Sequence, residues 1–276
     1  MERRTAMKLA AGAVIGGSAG IFTLANAFKP ELMPLGGPAK LTYKDSGTDW
    51  IYHALDPGLT AELAYGYYDS GSCMFATFKS IISQLADKFG EPYSSFPFHM
   101  MKYGHGGIGG SGNVCGALNA AAAVTGLFVT DKTAMDSIIN GIFRWHEQTA
   151  LPEFKPQNPV TDVSLPASIS NSILCHASNT RWINGSGYKI NSEERKERCR
   201  RLTSDVVYRL VTVLNTYFNN AYITNVSDNE PVRDCLTCHG DNGKIKNTSA
   251  TMDCAPCHSE SVGHQVFADI HYKLMK

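Results

Sequence analysis

Two pentapeptides near the C-terminal end of the chain contain the residue types that attach haem covalently. Residues 235–239 read Cys-Leu-Thr-Cys-His and residues 254–258 read Cys-Ala-Pro-Cys-His, and C-x-x-C-H is the attachment spacing of c-type haem. Two thiols three positions apart can reach both vinyl groups of one porphyrin, and the following imidazole then becomes the proximal iron ligand. The sequence therefore predicts two covalently bound haem c groups per chain. The predicted attachment and proximal-ligand residues are Cys235, Cys238, His239, Cys254, Cys257 and His258.

The same four thiols also have the spacing of a structural zinc site. The pattern C-x2-C-x15-C-x2-C suits a site of four cysteines, and two disulfides are a further alternative. Zinc would explain four thiolates but not the histidine that follows each pair, and it would leave His264 and His271 without a role. We prefer haem attachment because it accounts for all six residues.

A second histidine is expected on each haem iron. His264 and His271 follow the second motif in the same tail, so closing a loop from either of them to a nearby iron costs little free energy. His105 lies in a glycine-rich loop whose backbone freedom would let it reach a haem, in its own chain or in a partner. Methionine ligation through Met252 or Met275 is the less favoured alternative. The histidine candidates are His264, His271, His105, His99 and His53.

The N-terminal residues 1–27 have the features of an export signal. An Arg-Arg pair precedes an apolar, Gly- and Ala-rich run, and Ala-Asn-Ala at the end of this run suits cleavage. The paired arginines predict the twin-arginine route and hence a periplasmic protein. A retained membrane anchor is the alternative, although glycines interrupt the apolar run. We expect no stable membrane insertion after cleavage.

The charge balance gives no argument for a nucleic-acid partner or for an anionic membrane surface. The full chain has 25 Lys and Arg against 25 Asp and Glu, and removal of the signal leaves 22 against 24. With 43% hydrophobic residues, the remaining chain is long enough to bury one sizeable core. The last 48 residues are too few and too polar to fold without a cofactor.

Helical periodicity dominates the chain between the signal and the haem motifs, and no stretch alternates long enough to predict a sheet. The prediction is an all-α fold with a small, irregular haem-binding extension. Its domains are a signal peptide at 1–27, a helical domain at 28–228 and a dihaem segment at 229–276. An irregular arm is expected at 28–70 and loops at 104–112 and 152–166. Helices are expected at 71–90, 113–129, 133–150, 168–183 and from residue 192 onward.

Four further cysteines, Cys73, Cys115, Cys175 and Cys199, lie outside the haem motifs. They can be small buried hydrophobic residues or two disulfides, and Cys199 suits packing because it lies on the apolar side of its helix. However, Cys73 and Cys115 each follow a Gly- or Ser-rich turn at a predicted helix start, where backbone amides and the helix dipole stabilise a thiolate. Four such thiolates could hold an iron–sulfur cluster.

The order of these cysteines resembles that of the C-GCAxxG-C-C family of redox-active proteins. Together with the haem motifs and the export signal, residues 45–276 are similar to the split-Soret cytochromes c of sulfate-reducing bacteria. The central motif departs from the family pattern, since Val114, Gly116 and Asn119 stand where the family has Gly, Ala and Gly. The resemblance implies a periplasmic homodimer whose haems form one four-haem group. It also implies that the spaced cysteines can hold an iron–sulfur cluster, [2Fe-2S] or another type.

Three functions remain open from the sequence. Electron transfer between periplasmic redox proteins, without substrate chemistry, is the leading hypothesis because only 14 residues separate His239 from Cys254, so the two irons must be close. A haem-dependent reductase is the second hypothesis and would need an iron with an open sixth position. A cysteine-based redox sensor is the third.

Overall fold

Residues 50–222 and 230–254 are described by the computed structural model, and helices account for most of them. The all-α prediction is confirmed. A two-stranded antiparallel pair, β1 (Ala150–Leu151) and β2 (Ser168–Ile169), is the sheet found in these ranges. Short 3-10 turns span Tyr93–Ser95 and Phe98–Gly104. The α-helices are α1 (Pro57–Phe89), α2 (Gly116–Phe128), α3 (Lys132–Gln148), α4 (Cys175–Ser186), α5 (Glu193–Phe218) and α6 (Glu230–His239).

Side-chain caps explain where several helices begin. The Asp131 carboxylate accepts a hydrogen bond from the Ala134 amide at 2.7 Å at the start of α3. The Ser192 hydroxyl accepts one from the Arg195 amide at 3.1 Å at the start of α5. Each bond satisfies a backbone donor that would otherwise have no partner in the first helical turn. The predicted starts near residues 133 and 192 are confirmed.

Helix α1 begins much earlier than expected. Residues 57–70 were predicted to be part of an irregular arm, and that prediction is wrong. The Asp56 side chain accepts a hydrogen bond from the Leu59 amide at 2.7 Å, and Pro57 occupies the first helical turn, where its missing N–H costs nothing. Ala61, Ala64 and Tyr68 then bury one helical face, so burial outweighs the proline and glycine content of this segment.

The helix is interrupted at Gly71 and Ser72, where the sequence predicted a helix start. Ser72 has a φ of 66°, a left-handed conformation that is unfavourable for a residue with a β-carbon. The chain therefore changes direction here, and a new helical stretch begins at Cys73 and continues to Phe89. The break gives Cys73 the environment of a helix N-terminus although it lies inside a long helix.

The core forms where α1 packs against α5, with α2 against both. Ala117, Ala120 and Ala121 of α2 are completely buried, so this alanine-rich helix packs closely against its neighbours. None of the helices in the described ranges is long and apolar enough to cross a membrane.

Helix α4 begins at Cys175 instead of the predicted residue 168. Residues 168–169 are held in β2, where Ile169 pairs with Ala150 and Ser168 pairs with Leu151. The prediction missed this pairing because two-residue strands are too short to produce an alternating pattern. The later start puts a cysteine in the first turn of α4.

Candidate functional site

The four cysteines outside the haem motifs line one cavity of about 410 Å³. Cys73 begins the second part of α1, Cys115 is the N-cap of α2, and Cys175 is the first residue of α4. Cys199 enters from the second turn of α5. Three of the four thiols thus lie at points where unpaired backbone amides and the helix dipole favour negative charge.

Backbone pairing holds two of these helix starts together. The Cys115 amide donates to the Ile173 carbonyl at 2.9 Å, and the Cys175 amide donates to the Asn113 carbonyl at 2.7 Å. This short antiparallel contact joins the segments that enter α2 and α4, which are about sixty positions apart in sequence. Tertiary structure therefore positions Cys115 beside Cys175.

Gly116 allows Cys73 to approach the start of α2. A β-carbon at position 116 would lie 2.3 Å from the Gly104 carbonyl oxygen and 2.5 Å from the Cys73 Sγ, both well inside van der Waals contact. The family motif has alanine at this position. Glycine at position 116 thus leaves room for the Cys73 thiol beside the start of α2.

Cys73 and Cys115 form a buried thiol pair. A hydrogen bond from Cys73 lowers the pKa of Cys115, and the Ala117 and Leu118 amides and the Arg198 charge act in the same direction. The same hydrogen bond, together with burial, raises the pKa of Cys73. The thiolate is thus favoured on Cys115, at the helix N-terminus, and the neutral thiol on Cys73.

Asn179 connects the other two cysteines. Its Nδ2 donates to the Cys175 Sγ at 3.3 Å, and its Oδ1 accepts from the Cys199 Sγ at 3.4 Å. Burial raises the pKa of Cys175, and the charges of Cys115 and Cys199 raise it further. Four adjacent thiols cannot all ionise without a compensating positive charge, which bound iron would supply.

Arg198 is the principal cation at the cavity. Its side chain is 1% exposed, its Nη2 donates to the Ser178 hydroxyl at 2.7 Å, and its Nη1 lies 3.9 Å from the Cys199 Sγ. No sequence pattern predicted a role for Arg198 or Asn179. Their spacing offered a signal, because Arg198 directly precedes Cys199 and Asn179 follows Cys175 by one helical turn.

The cavity suits a multi-atom group better than a single ion. Among the described residues, no three His, Cys, Asp or Glu side chains are arranged to hold one metal ion, and each of the four cysteines is a free thiol. The cavity is many times larger than an ion, and soft thiolate donors favour iron–sulfur clusters. The residues present therefore fit the predicted cluster.

The first haem motif lies at the C-terminal end of α6. Cys235 and Cys238 are exposed, and the His239 Nδ1 lies 2.8 Å from the Asn247 Oδ1. Exposed thiols and an imidazole held by its Nδ1 suit covalent attachment and ligation through Nε2. This motif therefore fits haem. Within the second motif, Cys254 is described and is half-buried, whereas Cys257 and His258 lie outside the described residues.

The segment before the second motif is attached to α3. The Thr251 hydroxyl donates to the Asn140 Oδ1 at 3.0 Å, and the Thr251 carbonyl accepts a hydrogen bond from Arg144. Arg144 also pairs with the buried Glu147 at 2.8 Å. These contacts connect the predicted haem-binding segment to the helical core.

The candidate distal histidines have different environments. His105 is exposed and lines the cysteine cavity, whereas the His53 ring stacks on Phe89 with centroids 3.7 Å apart. His99 is exposed, and His264 and His271 lie outside the described residues. His146 is buried in α3, whereas His176 is exposed on the first turn of α4 and also lines the cavity.

Comparison with known proteins identifies the family. Residues 75–213 match the family described as "Putative redox-active protein (C_GCAxxG_C_C)", a range that contains three of the four cavity cysteines. The split-Soret cytochrome c of Desulfovibrio desulfuricans is 38% identical over 223 residues, which are 78% of this chain and 80% of that protein. The chain belongs to the split-Soret cytochrome c family. The resemblance stated from the cysteine pattern is confirmed.

A solved structure from this family has the same fold. It is the split-Soret cytochrome c from Desulfovibrio desulfuricans, described as having a novel iron centre, with a TM-score of 0.72 and 36% identity. The match covers 76% of this chain and 90% of that chain. Membership of this family makes the chain a cytochrome.

Proposed function

We propose that the chain is a periplasmic dihaem c-type cytochrome that transfers electrons between redox partners. The observation that carries the proposal is the combination of two cofactor environments in one chain. A haem-attachment motif with exposed thiols ends α6, and a separate cavity is lined by four free cysteines. Attachment of the second haem to Cys254, Cys257 and His258 follows from the repeated motif.

The cavity would hold an iron–sulfur cluster bound by Cys73, Cys115, Cys175 and Cys199, or by some of them. Such a cluster supplies a site for one-electron oxidation and reduction. The chain contributes thiolates at three helix N-termini, and Arg198 balances part of their negative charge. Burial of Cys73 and Cys115 limits access of water to that side of the cavity.

Electron transfer is favoured over substrate reduction by the supply of ligands. The tail that carries the second motif also contains His264 and His271, so each iron can have histidine on both sides. A haem iron whose two axial positions are both occupied by histidine exchanges electrons but offers no open position to a substrate.

Export and assembly form the remaining part of the proposal. The Arg-Arg signal at the N-terminus supports the twin-arginine route, which carries folded proteins and thus allows a cluster to be inserted before export. We further propose a homodimer, because two porphyrins on a 48-residue segment leave apolar surface that needs a second face.

The decisive experiment measures haem content and ligation in protein purified without oxygen. The expected results are a mass two haems above that of the cleaved polypeptide and reduced-minus-oxidised spectra typical of six-coordinate haem at two titrating centres. His239→Ala and His258→Ala should each change the ligand spectrum of one haem and leave that of the other unchanged. An unmodified mass with bound zinc would exclude the proposal, and a five-coordinate haem would favour the reductase.

A further inference from the structure

The return loop after α6 positions a side chain against the proximal histidine of the first haem motif. The chain leaves α6 at His239 and comes back so that the Asn247 Oδ1 lies 2.8 Å from the His239 Nδ1. When Nε2 of an imidazole binds iron, Nδ1 carries the proton and acts as a donor. The Asn247 carbonyl oxygen is then the acceptor.

Backbone contacts fix the position of Asn247. The Asn247 and Thr248 amides donate to the His239 carbonyl at 3.0 and 3.1 Å, and the Ile245 amide donates to the Cys238 carbonyl at 2.9 Å. Asn247 is therefore bonded to His239 through both its backbone and its side chain. The loop also satisfies helix carbonyls that would otherwise lack a partner at the end of α6.

Glycines make this loop geometry accessible. A β-carbon at position 243 would lie 2.3 Å from the Cys238 carbonyl oxygen, and one at position 240 would lie 2.7 Å from the Leu236 carbonyl oxygen. Only glycine permits such close returns over α6. The loop sequence thus selects the conformation that places Asn247 beside His239.

We propose that Asn247 is a positioning residue that sets the reduction potential of the haem attached at residues 235–239, an inference that rests on the proposed function. A carbonyl acceptor on Nδ1–H fixes the ring orientation and increases the basicity of the ligating imidazole. A more basic axial ligand stabilises ferric relative to ferrous iron, so this hydrogen bond lowers the potential. Removing the acceptor therefore raises the reduction potential above that of the wild type. Replacing the acceptor with a carboxylate lowers the potential below that of the wild type.

The test is a redox titration of the full-length, haem-loaded protein with substitutions of opposite expected effect. Asn247→Leu should change the oxidised-to-reduced equilibrium of one haem about tenfold in favour of the ferrous form, which is about 59 mV for one electron. Asn247→Asp should move the same haem in the opposite direction. The second haem should titrate as in the wild type.

Asn242 provides the matched control, because it is an exposed asparagine in the same loop. Asn242→Leu tests the general effect of a nonpolar substitution, and Asn242→Asp tests the effect of a nearby negative charge alone. Both should move the potential much less than the corresponding Asn247 variants. Equal shifts at the two positions would overturn the proposal.

A second measurement monitors the hydrogen bond directly. In the ferrous protein, the Nδ1–H proton of His239 should exchange with solvent faster in Asn247→Leu than in wild type or Asn242→Leu. If Asn247→Leu does not retain two haems by mass, the shift in Asn247→Asp decides the question. Two titrating haems with no response to either Asn247 substitution would reject the role of Asn247 but leave the proposed function intact.

Discussion

Cys115 is the cavity residue best prepared to bind a metal. Its thiolate is favoured by a hydrogen bond from Cys73, by the first amides of α2 and by the charge of Arg198. A serine hydroxyl has nearly the same size but does not ionise near neutral pH, so it is a poor ligand for iron. Ligand strength at this position should therefore control how much cluster the protein holds.

We expect Cys115→Ser to lose most of its non-haem iron and acid-labile sulfide while retaining two haems. Both quantities should be measured on protein purified without oxygen, since vacated thiols can oxidise to disulfides in air. Thr125→Ser, a buried conservative change on the same helix, is the control and should keep wild-type values. Near-zero iron and sulfide in all three proteins would make the four cysteines structural.

Asp205 gives the folded protein a defined pH dependence. It accepts hydrogen bonds from the Glu153 and Phe154 amides, yet burial raises the pKa of its carboxyl from 3.8 to about 7. The folded state thus binds this proton more tightly than the unfolded state does. The contribution of this group to stability therefore falls as the pH rises from about 4 to about 7, and it stays at the lower level above that range.

Asp205→Asn should remove this component of the pH dependence. Urea unfolding at several pH values should show a flatter profile between about pH 4 and 7 than in wild type. Asp87→Asn, at an exposed position on α1, should keep the wild-type slope. Parallel profiles for wild type and Asp205→Asn would show that Asp205 does not titrate in this range.

At the scale of the elements, helix α2 must begin close to α1 if Cys73 and Cys115 are to form a pair. Gly116 is the residue that permits this approach, because any β-carbon there overlaps the Gly104 carbonyl and the Cys73 thiol. The interior of α2 has no such restriction at Gly126. A β-carbon at that exposed position would have Met135 Sδ as its nearest neighbour, at an ordinary 3.6 Å.

The same substitution at these two glycines should have opposite effects. Gly116→Ala should reduce the free energy of unfolding by about 1–3 kcal/mol through overpacking and should lower the iron content. Gly126→Ala should increase the free energy of unfolding by about 0.5–1 kcal/mol because alanine favours the helix. Denaturant unfolding and iron analysis would measure both effects. A neutral Gly116→Ala variant would show that α2 and α1 can separate without cost.

At the scale of the whole molecule, the predicted haem-binding segment depends on surfaces outside itself. Residues around Thr251 are held by Asn140 and Arg144 of α3. The thiols of Cys235 and Cys238 in the first motif are nonetheless exposed, so a porphyrin attached there would itself be partly exposed. A large apolar surface of this kind is stabilised by a partner.

We expect the haem-loaded protein to sediment as a homodimer at micromolar concentration. Protein prepared without haem should dissociate or dimerise more weakly, because the porphyrins provide much of the apolar contact area. Analytical ultracentrifugation of both forms would measure the difference. A monomer that retains both haems at micromolar concentration would contradict this expectation.

The sequence alone determined the features that depend on neighbouring residues. The C-x-x-C-H spacing predicts haem attachment within five positions, and Ser192 marks a helix start because a cap bonds to an amide only three residues away. Helical periodicity was sufficient to predict the all-α fold. It failed at residues 57–70, because the burial that stabilises this turn-rich segment comes from distant helices.

Only the tertiary structure decided which cysteines meet. Cys73 and Cys199 are separated by more than one hundred positions, and no local pattern states that they line the same cavity. The convergence depends on a positive φ at Ser72 and on the close approach at Gly116, both of which follow from packing. The tertiary structure also places Asn247, because its position beside His239 depends on a loop that turns back over α6. Residue types thus predict the available chemistry, whereas packing determines which groups act together.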